Sequence, residues 1–389
     1  MRLLHVVPTY WPATRYGGPI FAVHGLCRAL AARGHQVEVL TTSIDGPFNM
    51  AVPHDTPVMR DGVAVRYFAS TRFRRLSYAP ALKRALPKAV QGADVVHLHS
   101  VFLWPTWCAA RVAQSYRTPF VISPRGMLVK KLIQDRHRLI KSAWLTLIER
   151  SNLERAAAIH ATSRIEAEEI EKFGWRLQRI AVVPNGIDDV NDQKSFGQVS
   201  EDVAALGREQ PLILCFGRMA RVKGLERLLE AFARTKSGIL AIVGTDYEGL
   251  TPELSRLAER LNIRDRVRFV ARTVTGVDKE HAFAAAQLFV LPSYSESFGN
   301  SVLEALQRGV PVVVTPQVGA AQIVRESGGG LVADGDPESF GQALDTLTAD
   351  AARCYAMGQA GRRHVTDQYG WQSIAARMET LYESLRAAQ

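Results

Sequence analysis

Two carboxylates eight positions apart, Glu296 and Glu304, frame the segment Glu296-Ser297-Phe298-Gly299-Asn300-Ser301-Val302-Leu303-Glu304. An apolar run at 288–291 precedes it and a helical pattern follows. Glu296 therefore falls at a strand-to-helix turn and Glu304 about one turn into the helix. Gly299 lets a ligand come close to the main chain, and the amides from Phe298 to Ser301 make an anion site at a helix N-terminus. The two carboxylates could hold two parts of one ligand whose phosphates lie between them. The plainer alternative is a capping acid at Glu296 and a solvated helical residue at Glu304.

A second constellation is Phe216-Gly217-Arg218-Met219-Ala220-Arg221-Val222-Lys223-Gly224-Leu225. A strand ends, a glycine turn follows, and Arg218 and Lys223 project before a helix. A guanidinium can grip a pyrophosphate with paired donors, while an ammonium supplies a compact charge. Arg221 reads as a solvated surface charge. Gly17 and Gly18, in Tyr16-Gly17-Gly18-Pro19, permit close approach of backbone to a ligand, although turn chemistry alone explains such a pair. His97 and His99 share one face of the strand Val95-Val96-His97-Leu98-His99. Either could be a satisfied core histidine, and two histidines without a third ligand make a poor metal site. Arg125, in Ser123-Pro124-Arg125-Gly126-Met127, ends another strand and suits a phosphate or a structural salt bridge equally. Asp334-Gly335-Asp336 spells a common metal signature, but Asp336 as N-cap with Pro337 at the first helical position explains it fully.

The elements that must position these residues alternate along the chain. Strand-like runs at 3–7, 36–41, 63–68, 95–99, 120–123, 158–162 and 180–184 make one series. A polar stretch at 189–209 without apolar period is expected to be a linker. Strands at 212–216, 240–243, 267–270, 288–291 and 310–315 follow, separated by helices near 224–235, 251–261, 278–286, 300–308, 319–327 and 337–348. The helix at 18–33 serves the first series, and an amphipathic helix at 371–387 ends the chain. Alternation of this kind builds parallel sheets. Two such sheets, in domains 1–188 and 210–370, bind ligands outside their strand C-termini, which implies one shared crevice.

Of 389 residues, 47% are apolar, enough to bury a large core. The net charge is +10, and it is lopsided: residues 1–190 hold 26 basic and 14 acidic side chains, and 60–141 hold 16 and 3. Such a field suggests an anionic partner. Arg72, Arg74, Arg75, Lys83, Arg84 and Lys88 form one cluster; Lys130, Lys131, Arg136, Arg138 and Lys141 form another, interleaved with apolar residues. Basic amphipathic segments suit anionic lipid surfaces, and a solvated face is the alternative. No nucleic-acid recognition motif and no Gly-x-Gly-x-x-Gly fingerprint is present. The N-terminus is a poor signal peptide and no run of 18 apolar residues exists. The four cysteines, far apart, read as core filler in a reducing compartment.

The segment from Ser295 to Ala305 resembles the E-x7-E signature of retaining glycosyltransferases of family 4, and its wording looks like the branch that builds bacterial surface polysaccharides. Gly309-Val310-Pro311-Val312-Val313 and Gly328-Gly329-Gly330-Leu331-Val332 are similar to the C-terminal half of that family, and Pro184-Asn185-Gly186-Ile187-Asp188 to its domain junction. The resemblance covers nearly the whole chain. It implies an α/β GT-B fold: two Rossmann-like domains whose parallel sheets face a central cleft. The acceptor domain would be 1–188 and the nucleotide-sugar domain 210–370, with 371–389 packing back on the first.

The roles it implies are as follows. Glu296 binds sugar hydroxyls of the donor and Glu304 the nucleotide ribose. Arg218 and Lys223 bind the diphosphate. Gly17, Gly18, Phe298, Gly299, Asn300 and Ser301 complete the donor site. His99 stands near the transferred sugar through its neutral imidazole or its carbonyl, and Arg125 meets phosphate or acceptor. The expected reaction moves a hexosyl unit, with retention, from GDP-mannose or a UDP-hexose to a saccharide acceptor, lipid-linked, in surface or exopolysaccharide synthesis. Neither metal nor cofactor is expected. The protein would be cytoplasmic, peripheral at the inner face of the plasma membrane, and without a nucleic-acid partner. A non-catalytic or epimerase-like nucleotide-sugar-binding protein of the same fold is the alternative.

Overall fold

The computed structural model describes residues 1–15, 17–130, 144–189, 197–206, 208 and 211–387. The chain divides into two compact units, one formed by Met1–Gly186 with Trp371–Gln389 and the other by Ile187–Gly370.

The first unit is built on an eight-stranded sheet. In spatial order its strands are Ile180–Val182, Ala158–Ala161, Phe120–Ser123, Val95–His99, Arg2–Thr9, Gln36–Thr42, Val63–Phe68 and Pro57–Arg60. All pairs are parallel except the last, an antiparallel edge strand that begins at a proline. Parallel sheets covered by helices on both faces bury every position, which is why Val95–His99 is wholly buried, polar residues included. Arg2–Thr9 leads through helix Gly18–Ala32 to Gln36–Thr42 on one side, and Val95–His99 takes the other side. The strand order thus reverses between Arg2–Thr9 and Val95–His99. The crevice beyond their C-terminal ends is where such sheets take ligands.

The second unit has a six-stranded, all-parallel sheet in the order Val267–Val270, Ile239–Val243, Leu212–Phe216, Ala286–Leu291, Val312–Val314 and Gly330–Val332. Its order reverses between Leu212–Phe216 and Ala286–Leu291. Under the sheet, Leu225–Phe232 packs against Pro337–Thr348 through Leu228, Leu229, Phe232, Phe340 and Leu344, all essentially buried.

The unit boundary falls at Gly186/Ile187, so the stretch expected as a linker at 189–209 belongs to the second unit. Its helix Glu201–Ala204 is anchored there: Ser200 donates through N and Oγ to Asp278 at 2.8 and 2.7 Å. Residues 190–196, 207 and 209 of that stretch lie outside the described residues. The final helix, Trp371–Ala387, is part of the first unit. Trp371 lies against Gly25 and Gly186, where a β-carbon would fall 2.2 and 2.5 Å from the indole. Helices Pro80–Gly92, Trp104–Ser115, Arg164–Glu171 and Ala351–Tyr369 and the strands Pro57–Arg60 and Gly330–Val332 were not anticipated from the sequence. All four cysteines are buried and unpaired.

Candidate active site

In the second unit the two chemical segments follow the two strands that flank the reversal. After Leu212–Phe216, Gly217 N donates to Val243 O at 2.9 Å and Met219 N to Thr245 O at 2.9 Å, which extends the pairing past the strand end. The main chain of Gly244 (φ +144°) passes so close that a β-carbon there would lie 2.0 Å from Gly217 O. Arg218 is exposed, its guanidinium 5.6 Å from the Tyr247 ring centroid. After Ala286–Leu291 the chain is fixed by Arg227, which donates to Pro292 O at 2.6 Å and stacks 4.0 Å over Tyr294. Tyr294 N donates to Val222 O at 2.8 Å, so the two loops are tied to each other.

That tie brings Lys223 to Glu296. Nζ and Oε2 form an ion pair whose side chains are 18% and 19% exposed. Glu296 N donates to Gln317 O at 3.1 Å, and its carbonyl accepts from Gly319 N at 2.8 Å. Phe298 is buried and its carbonyl accepts from Ala320 N at 2.7 Å. Gly299 then caps helix Asn300–Gln307 in the left-handed region at φ +97°, packed against Val318, with no side-chain cap. The helix directs its first turn, with Asn300 and Ser301, toward the loop that carries Glu296. Glu304 sits further along it and pairs with Lys279 Nζ at 2.8 Å, a partner that the sequence did not suggest. The structure therefore places Arg218, Lys223, Glu296, Phe298, Gly299, Asn300, Ser301 and Glu304 around one reversal point, with both carboxylates already paired, Glu296 to Lys223 and Glu304 to Lys279. Asp336 caps Pro337–Thr348, its Oδ1 accepting from Glu338 N at 3.1 Å and Ser339 N at 2.9 Å. Those bonds hold its carboxyl below the usual range.

In the first unit Gly17 (φ +71°) caps helix Gly18–Ala32, Gly18 begins it, and a β-carbon at Gly17 would meet nothing within 4 Å. Tyr16 lies outside the described residues. On the other side of the reversal, His99 ends Val95–His99 inside a cluster of four histidines, His5, His97, His99 and His160, each no more than 2% exposed. Only His97 and His99 were singled out from the sequence. His5 joins them because the register pairs it with His97 across neighbouring strands.

The hydrogen-bond chemistry fixes every tautomer. Arg125 Nη2 can only donate, so His99 Nδ1 accepts from it at 3.3 Å. His99 Nε2 then carries the proton and donates to His5 Nδ1 at 2.9 Å. At the other end Val183 O can only accept, so His160 Nε2 donates to it at 2.8 Å. His160 Nδ1 then accepts from His97 Nε2 at 3.4 Å, and His97 Nδ1 accepts from the Tyr382 hydroxyl at 2.6 Å. All four rings are neutral, Nε2-protonated imidazoles. Burial agrees, pushing His5 and His160 down to about 3 and His97 and His99 well below their ordinary value. Nitrogens of His5, His97 and His99 lie within 4.8 Å of one another, which supplies the third imidazole that two histidines on one strand lacked. His97 and His99 nevertheless have both ring nitrogens engaged, His5 carries its proton on the one unpartnered nitrogen, Nε2, and the Arg125 cation beside His99 opposes a divalent ion.

Both ring nitrogens of His99 are thus engaged. Arg125 (φ +55°) is half-buried and makes no salt bridge among the described residues; it donates to Asn185 Oδ1 at 2.7 Å as well as to His99. Its loop is held by Glu166, which accepts from Gly126 N at 2.6 Å and Thr162 N at 2.7 Å. Burial lowers the Arg125 pKa, against the charge of Glu166, which raises it.

Two open parallel sheets, each reversing beside a glycine loop, with an E-x7-E pair and a Gly-Arg-x5-Gly loop on the second, define a GT-B glycosyltransferase. Residues 17–186 match the glycosyl transferase 4-like domain and 199–364 the glycosyl transferases group 1 domain, and the chain belongs to the family 4 glycosyltransferases. It is 28% identical to the D-inositol 3-phosphate glycosyltransferase of Xylanimonas cellulosilytica, over 98% of this chain and 95% of the relative. Its fold is shared with sucrose-phosphate synthase from Thermosynechococcus elongatus (TM-score 0.75, 24% identity, 100% of both chains). The same holds for Anabaena HepE in complex with UDP and glucose (TM-score 0.75, 20% identity, 99% and 100% of the two chains).

Proposed function

We propose that the protein is a retaining hexosyltransferase. Its donor is GDP-mannose or a UDP-hexose, and its acceptor a lipid-linked saccharide in surface or exopolysaccharide synthesis. The observation that carries this reading is the paired arrangement at the second unit's reversal point. Lys223 and Arg218 stand where a diphosphate would meet the first turn of Asn300–Gln307, and Glu296 and Glu304 stand on either side of it. Donor binding replaces the Lys223–Glu296 pair with two new ones: Lys223 turns to phosphate and Glu296 accepts from sugar hydroxyls. Positive donors on the leaving diphosphate stabilise the charge that develops as the glycosidic bond breaks. In this reading Arg218 and Lys223 do the work of a metal ion. Glu296 orients the sugar and is not a nucleophile, and a phosphate oxygen of the leaving group takes the acceptor's proton on the same face. The first unit receives the acceptor, with Arg125 as its polar group, while Gly17 and Gly18 complete the donor site and His99 stands near the transferred sugar. Calorimetry with GDP-mannose, UDP-glucose, UDP-galactose and their N-acetyl relatives tests the donor site. One donor should bind, and Glu304→Ala should weaken it; no binding by any donor would remove the transferase reading.

A membrane as the acceptor's location is supported by the turn Arg74–Leu76. Phe73 (φ +48°) is 72% exposed and Leu76 37%. Arg74 donates to Phe48 O at 2.7 Å and Asn49 Oδ1 at 2.5 Å, which brings the 61%-exposed Phe48 alongside. Arg72, Arg75, Lys83, Arg84 and Lys88 are exposed around this apolar tip. Cations around apolar side chains suit an anionic interface. Of the second basic cluster, Lys130 is exposed, and Lys131, Arg136, Arg138 and Lys141 lie outside the described residues. No described helix is long and apolar enough to cross a membrane. Phosphatidylglycerol vesicles should sediment the protein and phosphatidylcholine vesicles should not, with Phe73→Ser reducing the bound fraction. Equal recovery with both lipids would leave the basic face merely solvated.

A further inference from the structure

We infer that Lys279 is a positioning residue for nucleotide recognition: it sets the carboxylate of Glu304 so that its free oxygen meets the ribose diol. This rests on the reading of Glu304 as the ribose ligand. Lys279 lies on helix Gly276–Ala285 and Glu304 on Asn300–Gln307. Nζ stands 2.8 Å from Oε1, and the two side chains are only 20% and 24% exposed.

The geometry is rigid because the next residue repeats it. Glu280 receives Arg308 Nε at 2.9 Å and Nη2 at 2.5 Å, and Arg308 Nη1 donates to the main-chain carbonyl of Glu304 at 2.9 Å. The Arg308 guanidinium lies 5.1 Å from the Phe283 ring centroid. Two ion pairs of opposite polarity therefore lock the helices at neighbouring positions. Lys279 also reaches back toward the reversal point, its Nζ 6.0 Å from the ring centroid of Phe216, where Leu212–Phe216 ends.

A carboxylate grips a vicinal diol by accepting from both hydroxyls, which requires one orientation of its plane and the ionised form. Without a partner, Glu304 would sample several rotamers at a partly exposed helix face, and ordering it would weaken binding. Lys279 occupies Oε1 and leaves Oε2 to the diol. Its contribution to affinity should accordingly depend on the presence of ribose hydroxyls.

The test is calorimetric binding of UDP and GDP and of their 2′,3′-dideoxy counterparts to wild type, Glu304→Ala, Lys279→Met and Lys279→Arg. For the nucleotide that the wild type binds, Glu304→Ala should remove most of the preference for the ribonucleotide. Lys279→Met should lower ribonucleotide affinity about tenfold, the weight of one charged hydrogen bond, and leave dideoxynucleotide affinity unchanged. Lys279→Arg should recover most of the loss. If Lys279→Met weakens both nucleotides equally, Lys279 acts on phosphate or base, or on the fold, and the inference is wrong. If Glu304→Ala abolishes the preference while Lys279→Met keeps it, only the positioning role fails. If Glu304→Ala itself leaves the preference intact, or the wild type binds neither nucleotide, the ribose reading falls and takes this inference with it.

Discussion

The two reversal points have the same topology and opposite electrostatics. In the first unit four histidines, Tyr382 and Arg125 make a buried, fully directed set of hydrogen bonds in which every imidazole is neutral. In the second, Lys223–Glu296 and Lys279–Glu304 are charged, about one-fifth exposed, and paired with each other rather than with the sheet. A neutral, buried network whose rings direct their hydrogen bonds to one another can shape a surface but cannot give way to a ligand cheaply. Ion pairs near water can exchange partners, because a phosphate or a sugar replaces what each side chain loses. The difference separates a scaffold from a binding site, and it can be tested from either side.

The largest expected effect is the response of the first unit to acid. An unfolded histidine titrates near 6.5, whereas His5 and His160 are pushed down to about 3 and His97 and His99 well below 6.5. Between those values the unfolded chain binds protons that the folded unit refuses, so stability is complete above pH 6.5 and falls as pH drops below it. The slope is about 1.4 kcal/mol per pH unit for each histidine, or roughly 5 kcal/mol per unit if all four act together. The first unit's carboxylates with depressed values, Asp94 and Glu379 among them, act in the same direction but at lower pH, below about 4. Unfolding near pH 5 should take up close to four protons, measured from calorimetric enthalpies in buffers of different ionisation heat. A stability that stays flat between pH 7 and 5 would mean that the cluster is hydrated and charged in the folded protein.

The second unit should fail differently. Lys223→Met removes the cation that faces the departing diphosphate, and the expected loss in kcat is about 10²- to 10³-fold, as for a single oxyanion donor. The unfolding midpoint should move little, since an ion pair still reached by water contributes modestly to stability. His97→Ala should show the reverse, a large loss of stability with activity following only the folded fraction. Should Lys223→Met unfold the unit while His97→Ala folds and is inactive, the assignment of scaffold and site would be inverted.

Most of the second site was legible because its parts are local. A strand, a glycine, a cation and a helix start in Phe216 to Leu225, and a strand, a glutamate, a glycine and a helix start in Glu296 to Glu304, are each read within one span of sequence. Lys279 was not, because its partner is fixed by the packing of two helices. The first site was legible only in fragments. His5 meets His97 through strand register, His160 arrives two strands further along the sheet, and Tyr382 comes from the last helix. No short-range pattern encodes those meetings. The junction was read locally, at Pro184 to Asp188, whereas the polarity of 189–209 suggested a linker in a stretch that belongs to the second unit. The packing at Gly186 was not legible, because Trp371, whose indole needs the space that a glycine leaves, comes from the far end of the chain.

The smallest effect isolates that last helix. Tyr382 is fully buried and donates to His97 Nδ1, and burial raises its own pKa well above the ordinary value. Tyr382→Phe keeps the ring and removes the hydroxyl, so a buried imidazole nitrogen loses its donor at a cost of about 1–3 kcal/mol. Moving the His97 proton to Nδ1 gives no relief: the new Nδ1–H would face the phenyl ring without an acceptor, and Nε2 would oppose the lone pair of His160 Nδ1. The signature is therefore in the nitrogen-15 shifts of the imidazoles. Wild type and Tyr382→Phe should both show all four as Nε2–H, with the His97 Nδ1 resonance moving in the variant as that nitrogen loses its donor. If the variant is as stable as wild type and its imidazole shifts are unchanged, Tyr382 packs against the cluster without directing it. The neutral network would then be held by Arg125 and Val183 alone.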